Sequence, residues 1–297
     1  MTAGPTTRME APGGAMEKVR VFCEAIKVSH SIFALPFAVA SAFIASGGWP
    51  QLRLLALIVA AVVLARTSAM AFNRWADARI DLENPRTRGR AVPAGLLGRS
   101  TMLAAAALSA LGFVGICAAI NPLAFALSPV ALGVILGYSF TKRFTWLSHA
   151  VLGLALGLSP MGAWVAVRGE VAVLPALLGL AVLLWTAGFD IIYACQDTDF
   201  DVRSGLHSIP ARFGNRRALR LSKALHVAVV ILLAAVGVIA GLRWPYALGV
   251  ACVAVLLVRE HSVVSPEDLS RVDMAFFTLN GLVSLVFMAS VIIATVI

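Results

Sequence analysis

The stretch AFNRWADARID, residues 71–81, closes an apolar run with Asn73, Asp77 and Asp81 spaced four apart. On a helix that spacing keeps all three on one face. A second stretch, DIIYACQDTDFD, sets Asp197 and Asp201 four apart, with Asp190 two turns earlier on the same stripe and Tyr193 between them. Amide and carboxylate oxygens are hard donors. They suit Mg2+, which keeps several waters and takes one or two carboxylates together with substrate phosphate. The chain has eight Asp, and six of them fall in these two stretches. Solvation of a surface gives no reason for that concentration. Asp190 lies deeper in its apolar run, where a carboxylate costs about 2.5–3.5 kcal/mol to insert, which marks it as a functional residue facing a cavity.

Cations follow the acids. NPRTRGR brings Arg86, Arg88 and Arg90 just after Asp81, and YSFTKRFT brings Tyr138, Lys142 and Arg143 to the end of another apolar run. Carboxylates alone would repel a diphosphate. Carboxylates holding metal, completed by Arg and Lys, describe a diphosphate site. No GxxxxGK[ST] loop is present, which excludes a P-loop enzyme. An isoprenyl diphosphate fits a diphosphate site that opens into an apolar cavity. Its C–O bond can ionise to an allylic cation where water is excluded, and an electron-rich acceptor such as a phenol ring can then attack.

The elements that carry these residues must be membrane helices. The 297 residues are 60% hydrophobic and 13% charged, against about 25% charged in soluble domains. An all-α integral membrane bundle around a central cavity is expected. A span needs about 20 apolar residues, and nine candidates fit, at 28–46, 54–76, 101–120, 122–139, 147–167, 171–194, 224–241, 244–258 and 273–297. With the N-terminus inside, every one of the 24 Lys and Arg except Arg53, Arg66, Arg168 and Arg243 falls on the inner side. The net charge of +9 is therefore read as orientation in a bilayer, with the N-terminus and the acidic loops on the inner side, and no nucleic-acid partner is expected. Residues 1–16 read as a disordered tail and 17–297 as one transmembrane domain. The two acidic loops resemble each other at a spacing of 120, from Asp81 to Asp201, which suggests a duplication with halves near 17–120 and 121–240. Four scattered Cys without a CxxC pair give neither a disulfide framework nor a zinc site. SPEDLSRVD, 265–273, reads as a capped surface helix, and Asn280 as a hydrogen-bonding residue between helices. A secondary transporter would show similar repeats and acids, but with ionisable groups near midplane.

NRWADARIDLENPRTRGR, YSFTKRFT and DIIYACQDTDFDVRSGLHSIPARFG resemble the UbiA superfamily of membrane prenyltransferases, from about residue 20 to the end. The resemblance implies nine transmembrane helices around a cavity, Mg2+, and transfer of a polyprenyl chain from its diphosphate to an aromatic ring. It places Asn73, Asp77, Asp81, Asp197 and Asp201 on the metal–diphosphate, and Tyr138 and Lys142 on the diphosphate or the breaking bond. Asp190 falls at the reacting centre. Arg86, Arg90, Tyr193 and Arg143 would bind substrate, an arginine of the 86–90 loop taking the acceptor carboxylate. The chain departs from the pattern at Arg74, where many members carry Asp, and at RAVP in place of Arg-Pro-Leu. QDTDFD, GLHSIPARFG and SIFALPF look like the branch that prenylates 4-hydroxybenzoate for quinone biosynthesis, with 1,4-dihydroxy-6-naphthoate, a menaquinone precursor, as the alternative acceptor.

Overall fold

Apolar runs of this length satisfy their backbone polar groups in lipid only as helices or closed barrels. The computed structural model describes residues 14–297, and among them it is helical without any strand. The helices are α1 (Ala15–Ala25), α2 (Leu35–Ser46), α3 (Leu52–Ala76), α4 (Ala78–Glu83), α5 (Arg99–Ile120), α6 (Pro122–Thr141) and α7 (Ser148–Arg168). They continue with α8 (Val173–Ala194), α9 (Thr198–Arg203), α10 (Ile209–Phe213), α11 (Asn215–Ile239), α12 (Trp244–Ser262) and α13 (Asn280–Val296). The expected tail at 1–16 falls mostly on residues 1–13, outside those described, and Ala15 already opens α1.

Seven segments among the described residues are long and apolar enough to cross a membrane, rather than nine. The first expected span is shortened because Val28–Phe33 winds as a 3-10 turn, which leaves α2 only 12 residues. The eighth, α12, ends in Arg259, Glu260 and His261. Both still belong to the bundle. In the order α2, α3, α5, α6, α7, α8, α11, α12, α13, each helix packs on the next, and α13 returns to α2. Across this ring α2 also meets α7, where Ser41 Oγ donates to Pro160 O at 2.6 Å and Ser159 Oγ donates to Ala34 O at 3.1 Å.

The local stops are chemical. Asn121 caps α6 by accepting from Ala124 N at 2.8 Å, and Pro122 occupies the first turn, so the link from α5 is a single residue. The largest core cluster joins Phe33, Phe37, Trp185, Phe189 and Phe287. Beside it Asn280 bridges three helices as expected, accepting from Trp185 Nε1 at 2.6 Å and donating to Glu260 Oε1 at 2.8 Å. The helix expected at 265–273 does not form over 265–271. Ser265 Oγ accepts from Asp268 N and Asp268 Oδ1 from Ser270 N, and these local bonds hold a tight turn instead.

α7 and α8 approach at glycine. A Cβ on Gly157 would stand 2.5 Å from Gly179 O, whereas one on Gly162, in the same helix, would meet nothing within 4 Å. Gly157→Ala should therefore force the helices apart and cost about 1–3 kcal/mol. Gly162→Ala should be neutral or stabilising, because alanine loses less backbone entropy in a helix. Thermal unfolding of the two variants in detergent measures the difference.

Candidate active site

Both acidic helix ends use the same device. α3 stops at Ala76, Asp77 adopts φ −91°, ψ 3°, and the six-residue α4 follows. α8 stops at Ala194, a short 3-10 turn ends at Asp197 with φ −102°, ψ 4°, and the six-residue α9 follows. The stripe is thus bent rather than carried on one straight helix. The hydrogen-bond ladder still crosses the bend, with Asp77 N on Asn73 O and Asp81 N on Asp77 O, both at 2.8 Å.

The two ends open into one cavity of about 680 Å3. Asn73, Asp77, Asp81, Tyr138, Lys142 and Asp190 line it, as do Tyr193, Asp197, Asp201, Arg86 and Arg90. Arg143 does not line it, and reaches Asp77 Oδ1 at 3.5 Å and Ala76 O at 2.7 Å from outside. Asp77, Asp81 and Asp197 are each met by a cation or an amide. Lys142 Nζ donates to Asp77 Oδ2 at 2.6 Å, and Asn73 Nδ2 donates to the same oxygen at 2.9 Å. Arg90 Nη1 donates to Asp81 Oδ1 at 2.7 Å. Arg86 forks onto both oxygens of Asp197, its Nε at 2.9 Å from Oδ1, and its Nη1 donates to Tyr193 OH at 2.7 Å. Asn84 Nδ2 adds a bond to Asp197 Oδ1 at 3.0 Å. Burial works against the Arg86 charge, yet its bonds to Asp197 and Tyr193 raise its pKa above the ordinary value. The first acidic end thus takes its cations from the residues just after α6 and from the 84–90 loop, while the second borrows Arg86 from that same loop.

Arg74, where the sequence departs from the family pattern, is buried. Its Nε donates to Ala25 O at 3.0 Å and its Nη1 lies 3.7 Å from Asp81 Oδ2. It therefore ties α1 to α3.

Among the described residues no group of three or more His, Cys, Asp or Glu converges as a metal cage would. A Mg2+ site of this class does not need one, because phosphate oxygens and waters complete the shell. The donors present fit that ion. They are hard oxygens on both sides of one mouth, and Asp81 Oδ2 is buried with no hydrogen-bond partner.

Two residues at this cavity escape reading by spacing. His149, at the start of α7, sets its Nδ1 2.7 Å from Asp190 Oδ2. Arg66, in the middle of α3, lines the cavity with its Nε buried and unpartnered. Tyr138 lines the same cavity as Arg66, Arg74, Asp77 and Asp190. The signal for Arg66 was present in the sequence, since an arginine inside a span is a functional residue by default.

Residues 34–290 match the UbiA prenyltransferase family. Curated relatives include the 4-hydroxybenzoate octaprenyltransferase of Cupriavidus necator, 30% identical across 92% of this chain and 96% of its own length. That of Aeromonas salmonicida is 33% identical across 84% and 86%. Among solved structures, the apo structure of a UbiA homolog from Aeropyrum pernix K1 superposes with a TM-score of 0.82 at 36% identity, covering 90% of this chain and 98% of that one. A UbiA homolog from Archaeoglobus fulgidus, solved bound to DMAPP and Mg2+, shares the fold at a TM-score of 0.72 and 21% identity, covering 92% and 98%.

Proposed function

Because the chain belongs to the UbiA prenyltransferase family, we propose that it transfers a polyprenyl chain from polyprenyl diphosphate to a ring carbon of 4-hydroxybenzoate. The observation that carries this reading is the shared mouth. Asp77 and Asp197, from separate halves of the chain, open into one cavity beside Lys142, Arg86 and Arg90, above apolar walls. The curated relatives act on 4-hydroxybenzoate by name.

Asn73, Asp77, Asp81, Asp197 and Asp201 would hold Mg2+. When bound, the ion supplies positive charge to a leaving diphosphate. Lys142, Arg86 and Arg90 exchange their carboxylate partners for phosphate oxygens when substrate enters, with Arg143 behind Asp77 and Tyr193 behind Arg86. In the reaction the bond between prenyl C1 and the diphosphate oxygen breaks, and diphosphate leaves with the electron pair. A bond forms between C1 and the ring carbon beside the phenol, whose ring proton is then lost. Tyr138 faces the breaking bond, and Asp190 draws off the proton at the acceptor. Apolar walls keep water from trapping the cation.

The acceptor carboxylate is better matched by Arg66 than by the 86–90 loop. Arg86 and Arg90 are engaged at the mouth by Asp197 and Asp81. Arg66 lies deeper, with a donor left over. The distribution of Lys and Arg supports a cytoplasmic mouth in the inner membrane, so the water-soluble diphosphate product leaves on the cytoplasmic side. Clustering of the acids at one mouth argues against a transporter, which needs access from both faces.

Purified protein given Mg2+, a polyprenyl diphosphate and 4-hydroxybenzoate should release diphosphate and form a C-prenylated acid. No product with this acceptor and rapid product with 1,4-dihydroxy-6-naphthoate would reassign the acceptor. No product with either would remove the proposal.

A further inference from the structure

We propose that His149 is a positioning residue for Asp190, and that the backbone of α10 fixes its orientation. The inference rests on the reading of Asp190 as the group beside the acceptor. His149 is buried at the start of α7, and its two ring nitrogens have different partners. Nε2 lies 3.3 Å from the backbone N of Ile209, and Nδ1 lies 2.7 Å from Asp190 Oδ2. A backbone N–H can only donate, so Nε2 is the acceptor and carries no proton. The proton of the neutral ring is then on Nδ1, pointed at the carboxylate. Asp190 Oδ2 is committed to the imidazole, and Oδ1 is left for the acceptor.

The chain supplies that N–H for a structural reason. Ile209 is the first residue of α10, and the first N–H groups of a helix have no partner within it. Ser208 caps α10 by accepting from Ala211 N at 3.2 Å, with Pro210 in the first turn. His149 takes the orphan donor of Ile209. The neighbouring residues are tied to the site as well. His207 N donates to Lys142 O at 2.7 Å, and the Ser208 side chain lies beside Asp201. Three consecutive residues of the GLHSIPARFG segment therefore each meet one part of the active site. Residue 207 fixes the Lys142 backbone, 208 flanks Asp201, and 209 fixes Asp190 through His149. This gives the segment a role beyond joining α9 to α11.

Glutamine can reproduce both bonds, with its amide N–H on Asp190 and its carbonyl on Ile209 N. Alanine can reproduce neither. His149→Ala should lower kcat about 10- to 100-fold, part of what a positioned proton acceptor contributes, with KM for the prenyl diphosphate unchanged. His149→Gln should recover kcat to within about threefold of wild type. A second readout needs no turnover. In protein labelled with 15N-histidine, one of the five histidines should be neutral and protonated on Nδ1, should vanish in His149→Gln, and should shift in Asp190→Asn. An Nε2-protonated ring at 149, a glutamine variant as slow as alanine, or an alanine variant with full kcat would each overturn the proposal. Should wild type prenylate no acceptor, the reading of the reaction falls, and the 15N spectrum still decides the role of His149.

Discussion

Asp77→Ala and Asp197→Ala should each lower the rate of prenyl transfer by about 10³-fold or more, the scale on which a preorganised charge contact to a leaving group is lost. The two acids are equivalent in backbone, each at the bend between a long helix and a six-residue one, and each is surrounded by cations that must be neutralised when no substrate is bound. Removing Asp77 leaves Lys142 in the cavity and Arg143 behind it without their shared partner. Removing Asp197 frees Arg86 and Asn84 together. Because an alanine at either site leaves these cations without a carboxylate partner, the isosteric Asp77→Asn and Asp197→Asn variants are made in parallel and their thermal unfolding recorded. They keep shape and lose charge, and the same loss of rate is expected at near wild-type melting temperature. Asp199 supplies the contrast. It is exposed on α9 and off the stripe, and Asp199→Ala should leave turnover unchanged. Full turnover in either the Asp77 or the Asp197 variants would show that the carboxylates serve the fold alone.

The acidic ends were legible in the sequence for a physical reason. An apolar chain has few places where carboxylate is tolerable, so six Asp in two stretches stand out against the rest. The same economy explains what was hard to see. Arg66 appeared only as an exception to the inside-positive count, and nothing in its neighbourhood repeats at a helical spacing. Its role depends on the space between α3, α6 and α8. His149 has no motif partner either. Asp190 is 41 residues away, and the two meet because Gly153 and Gly157 let α7 lie against α8. Span boundaries read from hydropathy follow the helices closely for α5, α6 and α7. They fail to predict the 3-10 turn at Val28–Phe33, because an apolar run of this kind is equally compatible with either winding. The bend at Asp77 is likewise invisible to a spacing of four, since the hydrogen-bond ladder continues through it.

Arg66→Met should make the protein more stable and its acceptor binding much worse. Arg66 Nε is buried and takes part in no hydrogen bond, and leaving such a donor unsatisfied costs about 1–3 kcal/mol. Methionine fills similar space without a polar atom, so the melting temperature in detergent should rise. Membrane-spanning sequence discards an unpaired arginine unless something else uses it, and on the proposed function that use is the acceptor carboxylate, in the cavity that Arg66 and Tyr138 line. Truncating one partner of a buried charge pair costs 2–5 kcal/mol, so KM for 4-hydroxybenzoate should rise about 30-fold or more while KM for the prenyl diphosphate stays put. Arg66→Lys should recover only part of the loss, because a point charge cannot form the two parallel bonds of a guanidinium. Phenol, which has no carboxylate, makes the control: wild type and Arg66→Met should turn it over equally slowly. If the two enzymes instead share one KM for 4-hydroxybenzoate, or if Arg66→Met lowers the melting temperature, then Arg66 braces the helix bundle and the acceptor carboxylate is held elsewhere.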